Sequence, residues 1–300
     1  MTRGRFGLRV DVDTHDGMRD GVPKLAEIFA AAGIRATFYL SMGPDRAGRA
    51  VLNVFRPGFF RKMTRTRAVN VYGWRTVLSG TLLPSRPIAT AFPELARSLA
   101  AAGHETGVHA WDHRAWQDGL LRFDPARVAE HLDRGHAAYV SIFGRAPRTY
   151  AAPAWLSRDA ALLHEETYGL DFASDCRGRE PFLPLVGERR LATPQVPSTL
   201  PTLDEALGDT HDAAAAYFAS MLDELGRGAW HVFTLHAELE GGPYAEAFAR
   251  FLDDASERGF EGVPLGELLR RRRAEGPLPA HRMGHAQVRG RHGVVSVQML

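Results

Sequence analysis

The chain has 300 residues, 45% hydrophobic and 24% charged, with a formal net charge of +2, a globular composition that excludes a disordered or fibrous protein. A core of this size needs no disulfide or structural metal, and the single cysteine, Cys176, excludes an intramolecular disulfide and a multi-cysteine zinc site and fits a reducing compartment. No run of eighteen apolar residues is present, so no spanning helix is expected, and the carboxylates of Asp11 and Asp13 leave no room for a signal-peptide core; a cytoplasmic protein is expected.

Phe6 to Val12 reads as a buried strand ending in acidic residues. Gly21 to Ala32 is an amphipathic helix, with Pro23 in its first turn and Gly33 past its end. Ala36 to Leu40 is a second strand, Pro93 to Ala102 a helix, and Glu105 to His109 a strand. A long helix from Arg127 to Phe143 follows, then a strand at Thr149 to Ala152, a helix at Asp159 to Thr167 and a short strand at Leu170 to Ser174. Thr193 to Pro197, with its two prolines, reads as an edge or bulged strand. Ala213 to Leu225 is helical, Trp230 to His236 is a strongly apolar strand, Tyr244 to Arg258 is helical, and Phe260 to Pro264 adds a last strand. Strands alternating with helices of this length predict a parallel sheet with crossover helices, and seven or eight such units predict a barrel. The expected layout is a catalytic barrel over 1–269 followed by an Arg-, Gly- and His-rich appendage at 270–300.

Residues 46–92 interrupt this alternation. From Arg46 to Pro93 there are nine Arg or Lys residues and no Asp or Glu, whereas 35 acidic residues in 300 would place about six in 48. Arg56, Arg61 and Lys62 are interleaved with Phe59, Phe60 and Trp74. A solvated cationic loop is one reading, but its length favours a functional insertion. Basic residues among aromatics suit an anionic membrane surface; the usual nucleic-acid motifs are missing, so no nucleic-acid partner is expected. No obligate protein partner is inferred either.

Asp11 and Asp13 are two apart on a strand, so both face the same side at its C-terminal end, where barrel enzymes place reactive groups. Two such carboxylates repel, and a cation or proton must relieve them. His109 and His113 follow another strand, and a helical turn there would put both imidazoles on one side. A pair of surface histidines is the competing reading. The company of two aspartates at the same barrel end favours a metal held by Asp13, His109 and His113, with a position left open for water. His236 ends the most apolar strand, where an acid role competes with that of a satisfied core histidine; Asp175 is a candidate to hold it protonated.

Val10-Asp-Val-Asp13, then Gly103-His-Glu-Thr-Gly-Val-His109 with His113, then Leu235-His236 resemble the motifs of the polysaccharide-deacetylase family of metal-dependent carbohydrate esterases. The resemblance implies a distorted (β/α)7 barrel. It makes Asp11 the general base, Asp13, His109 and His113 the metal ligands, and His236 the general acid. The divalent ion is left open by this donor set: it suits zinc, and cobalt, manganese or nickel would fit.

The segments LRVDVDTHDGMRDGVPKL, GVHAWDHRAWQ and TLHAELEG resemble one branch of the family more closely, the deformylases of formamido-arabinose carried on undecaprenyl phosphate. That branch implies formate release during lipid A aminoarabinose modification, resistance to cationic antimicrobial peptides, and work at the cytosolic face of the inner membrane. A soluble N-deacetylase of acetylated glycans and a catalytically silent membrane-docked module are the alternatives. One departure stands out: the family's third motif carries an arginine before a proline, and here Ala152 precedes Pro153. Arg177 is the expected replacement beside Asp11.

Overall fold

A computed structural model of the chain describes residues 4–46, 84–207, 213–228, 230–291 and 293–300. Arg56, Phe59, Phe60, Arg61, Lys62 and Trp74, the expected membrane-contact residues, lie outside the described residues. The central strand is β1 (Gly4–Val12). Phe6, Leu8, Val10 and Val12 all join the main hydrophobic core, and because side chains alternate along a strand, Arg9 and Asp11 point to the other face. The period-two pattern thus puts a helix-facing apolar row and an inward polar row on one strand.

Helix α1 (Val22–Ala32) follows, with a proline in its first turn and Gly33 closing it at φ 66°, where the N–H of Gly33 bonds back to Ala30; a left-handed φ is why glycine ends the helix. Next come β2 (Thr37–Ser41), α2 (Pro93–Ala101), β3 (Glu105–Ala110), α3 (His113–Gly119) and α4 (Pro125–Phe143). The last is capped by Asp124, whose side chain accepts from the N–H of Arg127 at 2.8 Å. The chain continues through β4 (Thr149–Tyr150), α5 (Asp159–Glu166) and β5 (Phe172–Ala173). After the hairpin β6 (Leu183–Val186) and β7 (Arg189–Arg190) come α6 (Leu203–Ala206), α7 (Ala213–Leu225), β8 (Val232–His236), α8 (Ala245–Glu257), β9 (Phe260–Val263) and α9 (Leu265–Ala274). Two more strands, β10 (Ala280–Ala286) and β11 (Val295–Met299), end it.

Seven strands form one parallel sheet in the order β5-β4-β3-β2-β1-β8, with β9 paired to the N-terminal part of β1. The helices surround it, with Phe218, Phe233, Phe248 and Phe251 stacked between α7, β8 and α8. Burying side chains of this size contributes about 1.5–3 kcal/mol each. The architecture is the expected distorted (β/α)7 barrel.

Its seam lies between β5 and β8, and an irregular segment fills it. Ala173 donates to the carbonyl of Pro194 and accepts from Val196, both at 2.8 Å, while Leu200 donates to the carbonyl of Val232 at 3.3 Å. The expected strand at Thr193–Pro197 is therefore a bridging chain rather than a ladder. Proline has no N–H to give, and Pro194, Pro197 and Pro201 interrupt the pairing.

The tail departs from expectation. Arg270 to Arg273 belong to α9, and the residues beyond are no appendage. They supply β10 and β11 to a four-stranded sheet in the order β11-β10-β6-β7, and Ser296, buried, accepts from the N–H of Ser157 at 2.8 Å.

Candidate active site

The C-terminal ends of β1, β3 and β8 meet at one rim. β1 and β8 pair in parallel register with Asp11 opposite His236. Asp13 lies one residue past the end of β1, on the same side as Asp11. His109 is on β3, but His113 is the first residue of α3, so a strand, a tight turn and a helix start bring the two imidazoles together rather than one helical turn. Asp112 makes that turn: it caps α3 by accepting from the N–H of Ala115 at 2.9 Å and accepts from Arg46 at 2.5 Å.

Asp13, His109 and His113 converge, each offering one ligand atom within 4.8 Å of the others. His109 Nε2 is 3.2 Å from Asp13 Oδ1, and His113 Nε2 is 3.3 Å from Asp13 Oδ2. The other nitrogen of His109, Nδ1, lies 2.8 Å from the carbonyl of Ala151, which can only accept, so Nδ1 carries the proton. Nε2, where it carries no proton, presents a lone pair to a carboxylate oxygen, and Asp13 Oδ1 is buried without a hydrogen-bond partner among the described residues. Two acceptors at that distance require a cation or a proton between them. Burial pushes the Asp13 carboxyl up, but His113 and His109 outweigh it and hold it well below the usual carboxylate range. Burial pushes the His113 imidazole down to about 4, which leaves it neutral and able to donate a lone pair. This donor set fits a divalent ion with an open coordination position.

Asp11 is 2% exposed and is gripped by Arg9, from Nε to Oδ1 at 2.7 Å and from Nη2 to Oδ2 at 2.8 Å. Arg9 is fully buried, with its guanidinium 5.3 Å from the ring of Tyr39 and 5.1 Å from that of Trp155. It also donates to the backbone carbonyl and hydroxyl of Ser174. Arg9 therefore holds the place assigned to Arg177 by expectation. Arg177 instead bonds Glu205 Oε1 at 2.8 Å and the carbonyl of Leu200 at 2.7 Å. The physical reason is local: Arg9 and Asp11 share one face of one strand, at a spacing a bidentate guanidinium reaches. An arginine inside an apolar strand, two residues before a candidate base, was the signal that could have found it.

His236 is 9% exposed, and its Nδ1 makes no hydrogen bond among the described residues. Burial pulls it down, but Asp204, Asp13, Asp11 and Glu238 together hold it up at about 9. Its nearest carboxylate is Asp204, with Nδ1 3.8 Å from Oδ1. Asp175 does not serve it. Its Oδ1 accepts from the N–H of Ala152 at 2.8 Å and its Oδ2 from Gln195 at 2.7 Å, with Glu165 also bonded to it. Strand β5 ends beneath β4, which directs Asp175 under the Ala151–Ala152 backbone rather than toward β8. Asp204 was missed because it lies in the first turn of the four-residue α6, far from β8 in sequence. Two further carboxyls gather here: burial pushes Glu238 well above the usual range and Glu240 up to about 7, the latter accepting from the N–H of His236 at 2.9 Å.

The chain matches the polysaccharide deacetylase family over residues 12–173, more than half its length and including Asp13, His109 and His113. The chain belongs to the polysaccharide deacetylase family. It is 36% identical, over 98% of its length and 94% of the relative's, to the "Probable 4-deoxy-4-formamido-L-arabinose-phosphoundecaprenol deformylase ArnD" of Shewanella sediminis (strain HAW-EB3). A relative of the same name from Wigglesworthia glossinidia brevipalpis is 30% identical over 94% of this chain and 98% of that one. Among solved structures, a Mycobacterium smegmatis protein named as a polysaccharide deacetylase superposes with a TM-score of 0.66 at 18% identity, covering 96% of each chain. Puue allantoinase does so with a TM-score of 0.60 at 16% identity, covering 91% of each. Likeness at that identity speaks for the fold.

Proposed function

We propose that this protein is a metal-dependent amide hydrolase that removes the formyl group from a formamido-arabinose carried on undecaprenyl phosphate. The observation that carries the hydrolase reading is the pairing of Asp11 opposite His236 in the β1–β8 register, with Asp13, His109 and His113 clustered at the same rim. The substrate follows from the two deformylase relatives, which match nearly the whole chain.

Asp13, His109 and His113 would hold a divalent ion, which when bound would supply Lewis-acid polarisation of an amide carbonyl and a more acidic water; zinc suits the donors, and cobalt, manganese or nickel also fit. Asp11 takes the proton from the water that adds to the formyl carbon. Arg9 fixes the orientation of that carboxylate through two parallel hydrogen bonds. His236, protonated, faces the leaving nitrogen and gives it a proton as the C–N bond breaks, releasing formate and the free aminosugar. A backbone N–H near Ala154 is read as the donor to the tetrahedral oxyanion; what supports this is that Ala154 and Trp155 hold left-handed φ values of 53° and 50°, which L residues adopt only when their surroundings enforce it.

No helix among the described residues is long and apolar enough to cross a membrane. The basic, aromatic insertion, with Arg56, Phe59, Phe60, Arg61, Lys62 and Trp74, is read as the contact with an anionic membrane surface on the cytosolic side. The deciding assay is metal-dependent release of formate from a synthetic formamido-arabinosyl lipid phosphate. Acetate release from an N-acetylated glycan, with none of formate, would overturn the substrate.

A further inference from the structure

Arg177 and Arg291 are far apart in sequence, yet both guanidiniums stack on Trp155, at 4.8 and 4.5 Å from its ring. They also share one carboxylate oxygen. Arg177 donates to Glu205 Oε1 at 2.8 Å, and Arg291 donates to the same atom at 3.4 Å. The other terminal nitrogen of Arg291 is 3.8 Å from Asp204 Oδ2, and Asp204 Oδ1 is 3.8 Å from His236 Nδ1. A single aspartate thus links Arg291 to the histidine placed at the leaving nitrogen.

Arg291 is incompletely used where it stands. A guanidinium has five N–H donors, and among the described residues its hydrogen bonding is the one long contact to an oxygen that Arg177 already occupies. Its side chain keeps 15% of its exposure, Arg177 keeps 11% and Asp204 30%, so the cluster opens at the rim rather than being sealed in the core. The tail is shaped to deliver it. Gly290 has φ +86°, and a Cβ there would lie 2.6 Å from the carbonyl oxygen of Glu205. Only glycine lets the chain close on α6 and set Arg291 beside Asp204.

We infer that Arg291, backed by Arg177, forms an anion subsite that takes the phosphodiester of the substrate while its amide lies between Asp11 and His236. The inference rests on the reading given under Proposed function, because it assigns that substrate's phosphate. A planar fork of donors is the side chain best suited to a phosphodiester, and Asp204 lies 3.8 Å from both Arg291 and His236, so the subsite and the acid sit on either side of one carboxylate. The tail, on this account, completes the substrate site.

The test compares two soluble substrates with the full-length, metal-loaded enzyme: formamido-arabinose joined through a phosphodiester to a short alkyl chain, and its uncharged alkyl glycoside. Arg291→Ala is expected to raise KM for the phosphodiester about 10- to 100-fold, the effect of losing charge-assisted hydrogen bonds. Its kcat/KM for the uncharged glycoside should stay near the parent's. Gly290→Ala, which displaces Arg291 without removing its charge, is expected to show the same selective loss, and Arg291→Lys a partial one. Parallel loss on both substrates would make Arg291 a strut for Asp204 and overturn the inference. So would an unchanged KM for the short-chain phosphodiester in Arg291→Ala, which would mean that the charge does not read the phosphodiester itself. Calorimetric binding of the short-chain phosphodiester reads the subsite even if the parent releases no formate. In that case the deformylase reading fails, and equal binding by parent and Arg291→Ala would sink the subsite separately.

Discussion

Arg9 and Asp11, two residues apart on β1, form a buried bidentate ion pair, with Nε to Oδ1 at 2.7 Å and Nη2 to Oδ2 at 2.8 Å. Burial pulls the Arg9 guanidinium down, but Asp11 outweighs it and leaves it above its ordinary value. The family's arginine normally arrives on another segment; here the strand that carries the base also carries its partner. Breaking a buried pair strands the remaining charge and costs about 3–5 kcal/mol. Arg9→Met should therefore lose that much in urea unfolding and lose turnover. Arg9→Met with Asp11→Asn should recover most of the stability and none of the activity. A single variant that unfolds like the parent would show that the pair is not charged in the native state.

Asp11 and the triad are separable by metal content. Asp11→Asn is expected to keep its metal and lose turnover at least 100-fold. His109→Ala, His113→Ala and Asp13→Ala should lose both, and chelation of the parent should abolish activity that a divalent ion restores. Metal loss in Asp11→Asn equal to that in His109→Ala would reverse the roles of the two aspartates.

His236 gives a pH signature in the metal-free protein. Its native pKa of about 9 lies above its unfolded value of about 6.5. The protonated ring therefore stabilises the fold, fully below pH 6.5, and that contribution is lost as pH rises through about 9. Asp204→Asn removes its nearest carboxylate and should lower the pKa, read from the imidazole carbon-bound proton by NMR. An unchanged titration would show that Asp204 is not its partner.

Glu165, bonded to Asp175, gives a pH signature of the same sign over a window that starts lower. Burial pushes its carboxyl well above the usual range, and Asp175 adds to this. The native state thus holds a proton that the unfolded chain releases above about pH 4.5, so stability falls as pH rises past that point. Glu165→Gln keeps a donor for Asp175 and should reduce the difference in unfolding free energy between pH 5 and pH 8. A slope equal to the parent's would mean that Glu165 is ionised in the fold.

The insertion makes a prediction of its own. Neutralising Arg56, Arg61 and Lys62 together should weaken sedimentation with anionic vesicles, and binding of the parent should fall as salt rises, at about 1 kcal/mol per charge near the surface. Binding indifferent to both would remove the membrane reading while leaving the hydrolase untouched.

Much of the rim was determined by the sequence alone. The alternation in β1 sets Asp11 and Asp13 on one face, and strand ends collect reactive groups at one end of a parallel barrel. That is why spacing and strand position alone assign the triad and His236 to one rim. Arg9 was legible by the same rule, since it shares their face, yet an arginine in a buried strand reads first as an interruption. Other assignments needed the tertiary structure. Asp175 follows a strand and reads as the partner of His236, whereas nothing local marks Asp204; which of them meets His236 depends on how β5 and α6 pack, and it is Asp204. Arg177 was given to Asp11 and went to Glu205. The basic tail carried no periodicity strong enough to reveal β10 and β11, and the pairing of β10 with β6, and of β11 with β10, folds the tail back so that Arg291 meets Trp155. Spacing along the chain fixes what one element presents on one face. Which distant charge completes a site is decided by packing between elements, and here that decision placed Arg291 beside Asp204, the carboxylate that meets His236.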